Sequence, residues 1–196
     1  MRATTFDDPP MAKALFGDAR FGWLWLPIRL FLGWEWLSHG IEKLHNPKWA
    51  VTGDALRGFW ERAVQVPAPP AKPPIAYDWY REFIGTLLAG GHYTWFSKLV
   101  IAGELAIGVA LIVGAFTGIA AFCGGFMNWN FLMAGTAATN PLLFALATWL
   151  VLAWKNAGWI GADRYLLPSM GTPWKPGALF RGPSFGAHVG GTALMR

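Results

Sequence analysis

Long apolar runs alternate along this chain with one polar, proline-rich interval. The first run, Phe21–Leu44 (FGWLWLPIRLFLGWEWLSHGIEKL), is long enough to cross a bilayer, for which about 20 mainly apolar residues suffice. Three more follow, from Ser97 to about Phe116, Ile119 to about Ala138 and Leu142 to about Ala157. The pattern predicts an all-α fold, an integral-membrane four-helix bundle with spans at about 21–44, 97–116, 119–138 and 142–157. Thr117-Gly118 and Thr139-Asn140-Pro141 mark tight turns between the last three spans.

Residues 45–96 are too polar to cross. TGDALRGFWERAV reads as a short amphipathic helix with Leu56, Phe59, Trp60 and Ala63 on one side. VPAPPAKPP is a stiff, extended break. YDWYREFIGTLLAGG gives a second amphipathic helix, with Tyr80, Phe83, Ile84, Leu87 and Leu88 apolar and Gly90-Gly91 as its stop. A connection this long is usually functional or folded in its own right. An amphipathic, partly helical insert lying as a cap on the bundle is therefore expected. Residues 1–20 form a lead-in with a short amphipathic turn at MAKALF. No small-residue cleavage site follows the first run, so that run reads as a retained span and not a signal peptide. From Asp163 the periodicity ends, and residues 163–196 are expected to be a Pro/Gly-rich tail on which no structure is forced.

Composition sharpens the membrane reading. Only 14% of residues are charged and 13 are Trp, whereas a soluble domain is about a quarter charged. The net charge of +5 is scattered, with no basic run of the kind nucleic acid needs, so no nucleic-acid partner is expected. Cys123 stands alone in an apolar run, without CxxC, CxxCH or a metal-spaced Cys/His cluster. The pattern offers no disulfide, iron–sulfur, c-type haem or other metal site, and no covalent cofactor. Arg2, Lys13 and Arg20 precede the first span, and Lys155, Arg164, Lys175, Arg181 and Arg196 follow or end the last, while the short turns are uncharged. That asymmetry predicts a multi-pass protein of the cell membrane with both termini cytoplasmic.

Ionisable groups at membrane depth cost at least ~2.5–3.5 kcal/mol each unless they face protein or water. Glu35, His39 and Glu42 fall at i, i+4 and i+7 on one helical face, and Arg29 lies roughly 120° away on a stripe with Gly33, Trp36 and Gly40. Alternating helix directions place Glu35, Glu104, one of Asn128 and Asn130, and Thr148 at one depth, ~10–15 Å below the outer surface. Asn128 and Asn130 are about 200° apart, so only one points inward well. Glu104, Glu35 and His39 are the candidate catalytic groups. Asn128, Asn130, Thr148, Arg29 and Glu42 complete a polar layer for a small molecule or for protons. The structural alternative is interhelical hydrogen bonding that fixes the bundle. Arg29 either neutralises an acid or reaches inward to the headgroups.

Several of these residues carry a family resemblance. Arg29-Leu30 with Gly33, Gly40 and Lys43-Leu44 resembles the first-helix pattern of the DoxX family of small four-helix membrane proteins. Gly103-Glu104-Leu105 with Gly108, Leu111 and Gly114 resembles that family's second-helix pattern. GFWERA, DWYREFI, MNWNFLMAG, TNPLL and AGWIGADRYLLP resemble its longer-loop, DoxD-like branch of thiosulfate:quinone oxidoreductase membrane subunits. The resemblance covers residues 22–174. It implies electron transfer from a small sulfur oxyanion to quinone, with a lipid bilayer and a second subunit or larger complex as partners. The polar layer would then hydrogen-bond a quinone or hold its protons. The alternative is a non-catalytic accessory or scaffold subunit of a larger membrane complex.

Overall fold

A computed structural model describes residues 8–173, and those residues form helices and connecting turns without strands. In chain order the helices are α1 (Pro10–Gly17), α2 (Gly22–His45), α3 (Pro47–Ala50), α4 (Asp54–Ala63), α5 (Asp78–Ala89), α6 (Tyr93–Val113), α7 (Thr117–Met133), α8 (Asn140–Leu152) and α9 (Asp163–Ser169). Four long helices close a ring: α2 packs on α6, α6 on α7, α7 on α8, and α8 returns to α2.

The α2–α6 contact is the tightest and is set by glycine. A Cβ on Gly108 would stand 2.6 Å from the Leu37 backbone nitrogen, and one on Gly40 would stand 3.1 Å from that of Leu105. Small residues let the two backbones meet, as close helix packing in lipid requires. Trp25, Leu32, Trp36, Ile107, Leu111, Ala121, Leu143, Ala147 and Leu150 form the core between the four helices. Their outer faces are apolar too, with Trp23, Phe31, Trp34, Leu99, Val109, Ile119, Phe122, Leu142, Trp149 and Leu152 exposed.

One end of the ring is closed by hydrogen bonds to backbone. The Trp25 indole donates to the Leu15 carbonyl (3.0 Å), and the Asn156 amide donates to the Leu15 and Asp18 carbonyls, fastening α1 beneath the bundle. Buried Arg29 donates to the carbonyls of Ala157 (3.1 Å) and Ile160 (2.7 Å). Asp163 accepts from the backbone N–H groups of Phe116 and Thr117, which open α7 and have no partner within it. The expectation of an unstructured tail from Asp163 is corrected here. Residues 163–169 are helical, and Asp163 is buried as the acceptor that α7 needs. Seven residues are too short a stretch to show periodicity. The rest of the expected tail, from residue 174, lies outside the described residues, as do residues 1–7.

The other end carries the insert. Leu56, Trp60 and Ala63 of α4, Ile75, Tyr80 and Ile84 on or before α5, and Ala134 form a second core. Helix α4 thus buries the face its sequence pattern marked. Tyr80 ties α5 to α7, its hydroxyl donating to the Asn130 side-chain oxygen (3.1 Å) and carbonyl (3.2 Å).

Helix lengths differ from the expected spans. Helix α6 starts at Tyr93, four residues before the expected Ser97, because Tyr93 and Phe96 pack into the cap core. Helices α7 and α8 stop at Met133 and Leu152, five residues short of the expected ends at 138 and 157. Gly135, at φ +82° against the Pro74 backbone, turns the chain after α7. Among the described residues one helix, Tyr93–Val113, is long and apolar enough to cross a membrane by length and composition, and Asn140–Leu152 is a shorter apolar helix. Helix α2 has the length but carries Arg29, Glu35, Glu42 and Lys43, and the 17 residues of α7 reach only ~26 Å.

Candidate functional site

All four long helices contribute to one cavity of about 120 Å³ beneath the cap. Trp36, His39 and Lys43 come from α2, Glu104 from α6, Asn128 and Phe131 from α7, and Asn140 and Leu143 from α8. Helices α2, α7 and α8 therefore each present a ring or aliphatic side chain beside a polar one, and α6 presents its carboxylate.

The sequence dictates which side chains of α2 arrive there. Gly22, Trp25, Arg29, Leu32, Gly33, Trp36 and Gly40 are its buried residues, so the stripe containing Arg29 faces inward. Lys43 continues that stripe, three residues past Gly40 and seven past Trp36. His39 sits on its flank. Glu35 and Glu42 lie about 100–120° round from Trp36, which takes them away from the centre. The Gly40–Leu105 and Gly108–Leu37 approaches then bring Lys43 against Glu104.

Lys43 Nζ donates to both carboxylate oxygens of Glu104, at 2.7 and 2.9 Å. The Glu104 side chain is 1% exposed and that of Lys43 19%, so the pair is buried from the acid's side and open from the base's. The ammonium also stands 5.3 Å from the centre of the Trp49 ring on α3, a cation–π distance. His39 and Glu42 lie within electrostatic reach of Glu104.

Asn128 faces the same space. It follows Ala121, Gly124 and Gly125 on the buried face of α7, and Gly124 leaves room there for the Trp36 indole. It is fully buried, and neither its Nδ2 nor its Oδ1 has a hydrogen-bond partner among the described residues. A buried amide left without partners costs about 1–3 kcal/mol per unmade bond, so this one calls for a partner from outside the chain, water included. Asn140 opens α8, and its Nδ2 donates to the Thr136 carbonyl (3.1 Å), leaving its oxygen for the cavity.

The other candidates go elsewhere. Asn130 is turned to the cap, accepting from Tyr80 and donating to the Phe126 carbonyl (2.8 Å). Thr148 is exposed, and its hydroxyl donates back to the Phe144 carbonyl (2.9 Å). It misses the core because α8 buries Leu143, Ala147 and Leu150. Glu35 is half-buried and Glu42 exposed, and neither lines the cavity. Arg29 neither pairs with Glu35 or Glu104 nor extends inward to the surface where headgroups would lie, since it is buried and its guanidinium is taken by the carbonyls at the far end. The structure thus gathers Glu104, His39 and Asn128 from the expected set. It adds Lys43 and Asn140, which the sequence signalled only as a motif residue and a turn residue. The positional signal for Lys43 was its register with Trp36 and Gly40.

A ring of four long helices converging on one buried polar cavity, under a cap built from the insert between the first two, is the class of fold. The DoxX family model matches residues 24–138, more than half of the chain, and the chain belongs to that family of membrane proteins. The match includes Lys43, Glu104 and Asn128 and stops before Asn140. Comparison with curated proteins and with solved structures returned no match.

Proposed function

We propose that this chain is the membrane-spanning subunit of a quinone-linked oxidoreductase. It would work with a second subunit to pass electrons from a small sulfur oxyanion such as thiosulfate to a membrane quinone, as the DoxD-like motifs imply. The observation that carries this reading is the unpartnered Asn128 amide in a cavity walled by Trp36, Phe131 and Leu143 and charged by Lys43–Glu104. At about 120 Å³ the cavity is smaller than an apolar one of about 150 Å³ that holds benzene, so it takes in the polar edge of a ring head group and leaves the rest of the ring and the tail outside. Reducing a quinone takes up protons as well as electrons, and His39, Lys43 and Glu104 are groups that hold and pass protons.

The bilayer reading rests on the outer faces of the four long helices. Large exposed apolar side chains stand on the outer faces of all four, more than the scattered single ones that are normal on a soluble monomer. The proposed orientation puts the α1/α9 end, with Lys13, Arg20, Lys155 and Arg164, in the cytoplasm and the cap outside. Electrons pass directly between bound substrates or through the second subunit.

The test is thiosulfate-dependent reduction of a soluble quinone analogue by the purified protein with its co-purifying partners, beside Glu104→Gln. Turnover that falls at least about tenfold in an assembled Glu104→Gln supports the reading. No turnover in the intact complex sinks it and leaves a scaffold subunit.

A further inference from the structure

We infer that the cavity selects a ring bearing a hydroxyl, the reduced phenolic form of a quinone head group, over the oxidised carbonyl form. This rests on the reading of the cavity as a quinone site and adds the redox form that it favours.

The selectivity follows from what the walls leave unpaired. Among the described residues Asn128 is the one side chain with two buried polar atoms lacking partners, a donor and an acceptor side by side. A quinone carbonyl accepts but cannot donate, so it pairs Nδ2 and strands Oδ1 against an apolar ring. A phenolic hydroxyl does both. The rest of the wall offers both donors and acceptors. One N–H of the Asn140 amide is committed to the Thr136 carbonyl, which leaves that side chain one donor and its acceptor oxygen. The Glu104 carboxylate takes two bonds from Lys43 and keeps further acceptor capacity, since an ionised carboxylate offers about four lone-pair sites. Lys43 likewise keeps one of its three N–H donors, so the rest of the wall serves either redox form, and the discrimination rests on Asn128, whose oxygen only a donating occupant can pair. Water satisfies the same groups, so a ring that displaces it gains only if it reproduces those bonds.

The experiment is fluorine NMR of two ligands of one-ring size with the full chain in lipid nanodiscs. Para-fluorophenol donates and accepts, whereas para-fluorobenzaldehyde only accepts. The inference predicts that the phenol binds saturably and at least about tenfold more tightly, which is about 1.4 kcal/mol. It also predicts that the near-isosteric Asn128→Leu erases the difference. If that variant does not fold, para-fluoroanisole on the native chain makes the comparison, because its ether oxygen cannot donate and it must bind as weakly as the aldehyde. Equal or tighter binding of the aldehyde, or a preference that survives in Asn128→Leu, overturns the inference. A chain that shows the selectivity but never reduces a quinone upholds it and removes the oxidoreductase reading. A chain that reduces quinone without the selectivity does the reverse.

Discussion

Replacing Lys43 by Met should destabilise the protein more than replacing Glu104 by Gln, and the two changes together should cost less than their sum. At 2.7 Å and an effective dielectric constant of about 20, the attraction within the pair is about 6 kcal/mol. Most of that offsets the desolvation of two charges, so the pair itself adds little net stability. Its members are unequal, however. Glu104 is 1% exposed and lies in mid-helix, whereas Lys43 is 19% exposed, ends its stripe on α2 and rests on Trp49. Lys43→Met strands a carboxylate that cannot reach water, a loss of about 3–5 kcal/mol. Glu104→Gln leaves an ammonium that keeps the Trp49 face and extends to solvent, a loss of about 1–2 kcal/mol. In the double variant neither charge remains, and the loss should return to about 1–2 kcal/mol. Reversible unfolding in mixed micelles measures all four corners of the cycle. The reasoning fails if Lys43→Met costs no more than Glu104→Gln, or if the two add to within about 0.5 kcal/mol.

The cap should respond to alkali through Tyr80, whose phenol burial pushes up to about 12, above its ordinary value near 10. The native state holds that proton more tightly, so its contribution is full below pH 10 and is lost as pH rises through 12. The stability gap between the native chain and Tyr80→Phe should shrink by about 2–3 kcal/mol between pH 9 and pH 12. Asp163→Ala should cost about 1–2 kcal/mol and speed hydrogen exchange at the Phe116 and Thr117 amides that it now holds. Gly108→Ala drives a methyl to 2.6 Å from the Leu37 nitrogen and should cost about 1–3 kcal/mol. Gly85→Ala, with nothing within 4 Å on helix α5, should stabilise by about 0.5–1 kcal/mol in the same melting assay.

Amphipathic spacing told the most about the insert. Leu56, Trp60 and Ala63, and then Tyr80 and Ile84, are buried as a helical period of 3.6 demands, because each helix has one wet side to contrast with its packed side. The long helices offer no such contrast, being apolar all round, so their existence was legible while their inward faces and ends were not. Charge was the tempting guide, and it pointed to the Glu35–His39–Glu42 stripe. The geometry instead follows glycine. Gly33, Gly40 and Gly108 set where α2 and α6 touch, and that places Lys43 and Glu104 together. Arg29 on the same stripe looked like a counter-ion for an acid but caps carbonyls 128 and 131 residues away in sequence, contacts that local pattern cannot disclose. Thr148 was misjudged because a hydroxyl in a helix can satisfy itself on the preceding turn, as it does on Phe144.

The closed α1/α9 end bears on mechanism. Arg29, Asn156 and Asp163 hydrogen-bond backbone groups there, and none of the three lines the cavity. The Lys43–Glu104 cavity then has its access on the cap side, where Lys43 and Trp49 stand.

The most direct measurement is photolabelling of the intact membrane-embedded protein with an azido-quinone, followed by mapping of the labelled peptides. The account predicts label on the peptides containing Trp36 or Phe131, lost when excess unlabelled quinone is present. Label confined to the cap surface or to the outer helix faces, or insensitive to competing quinone, would contradict it.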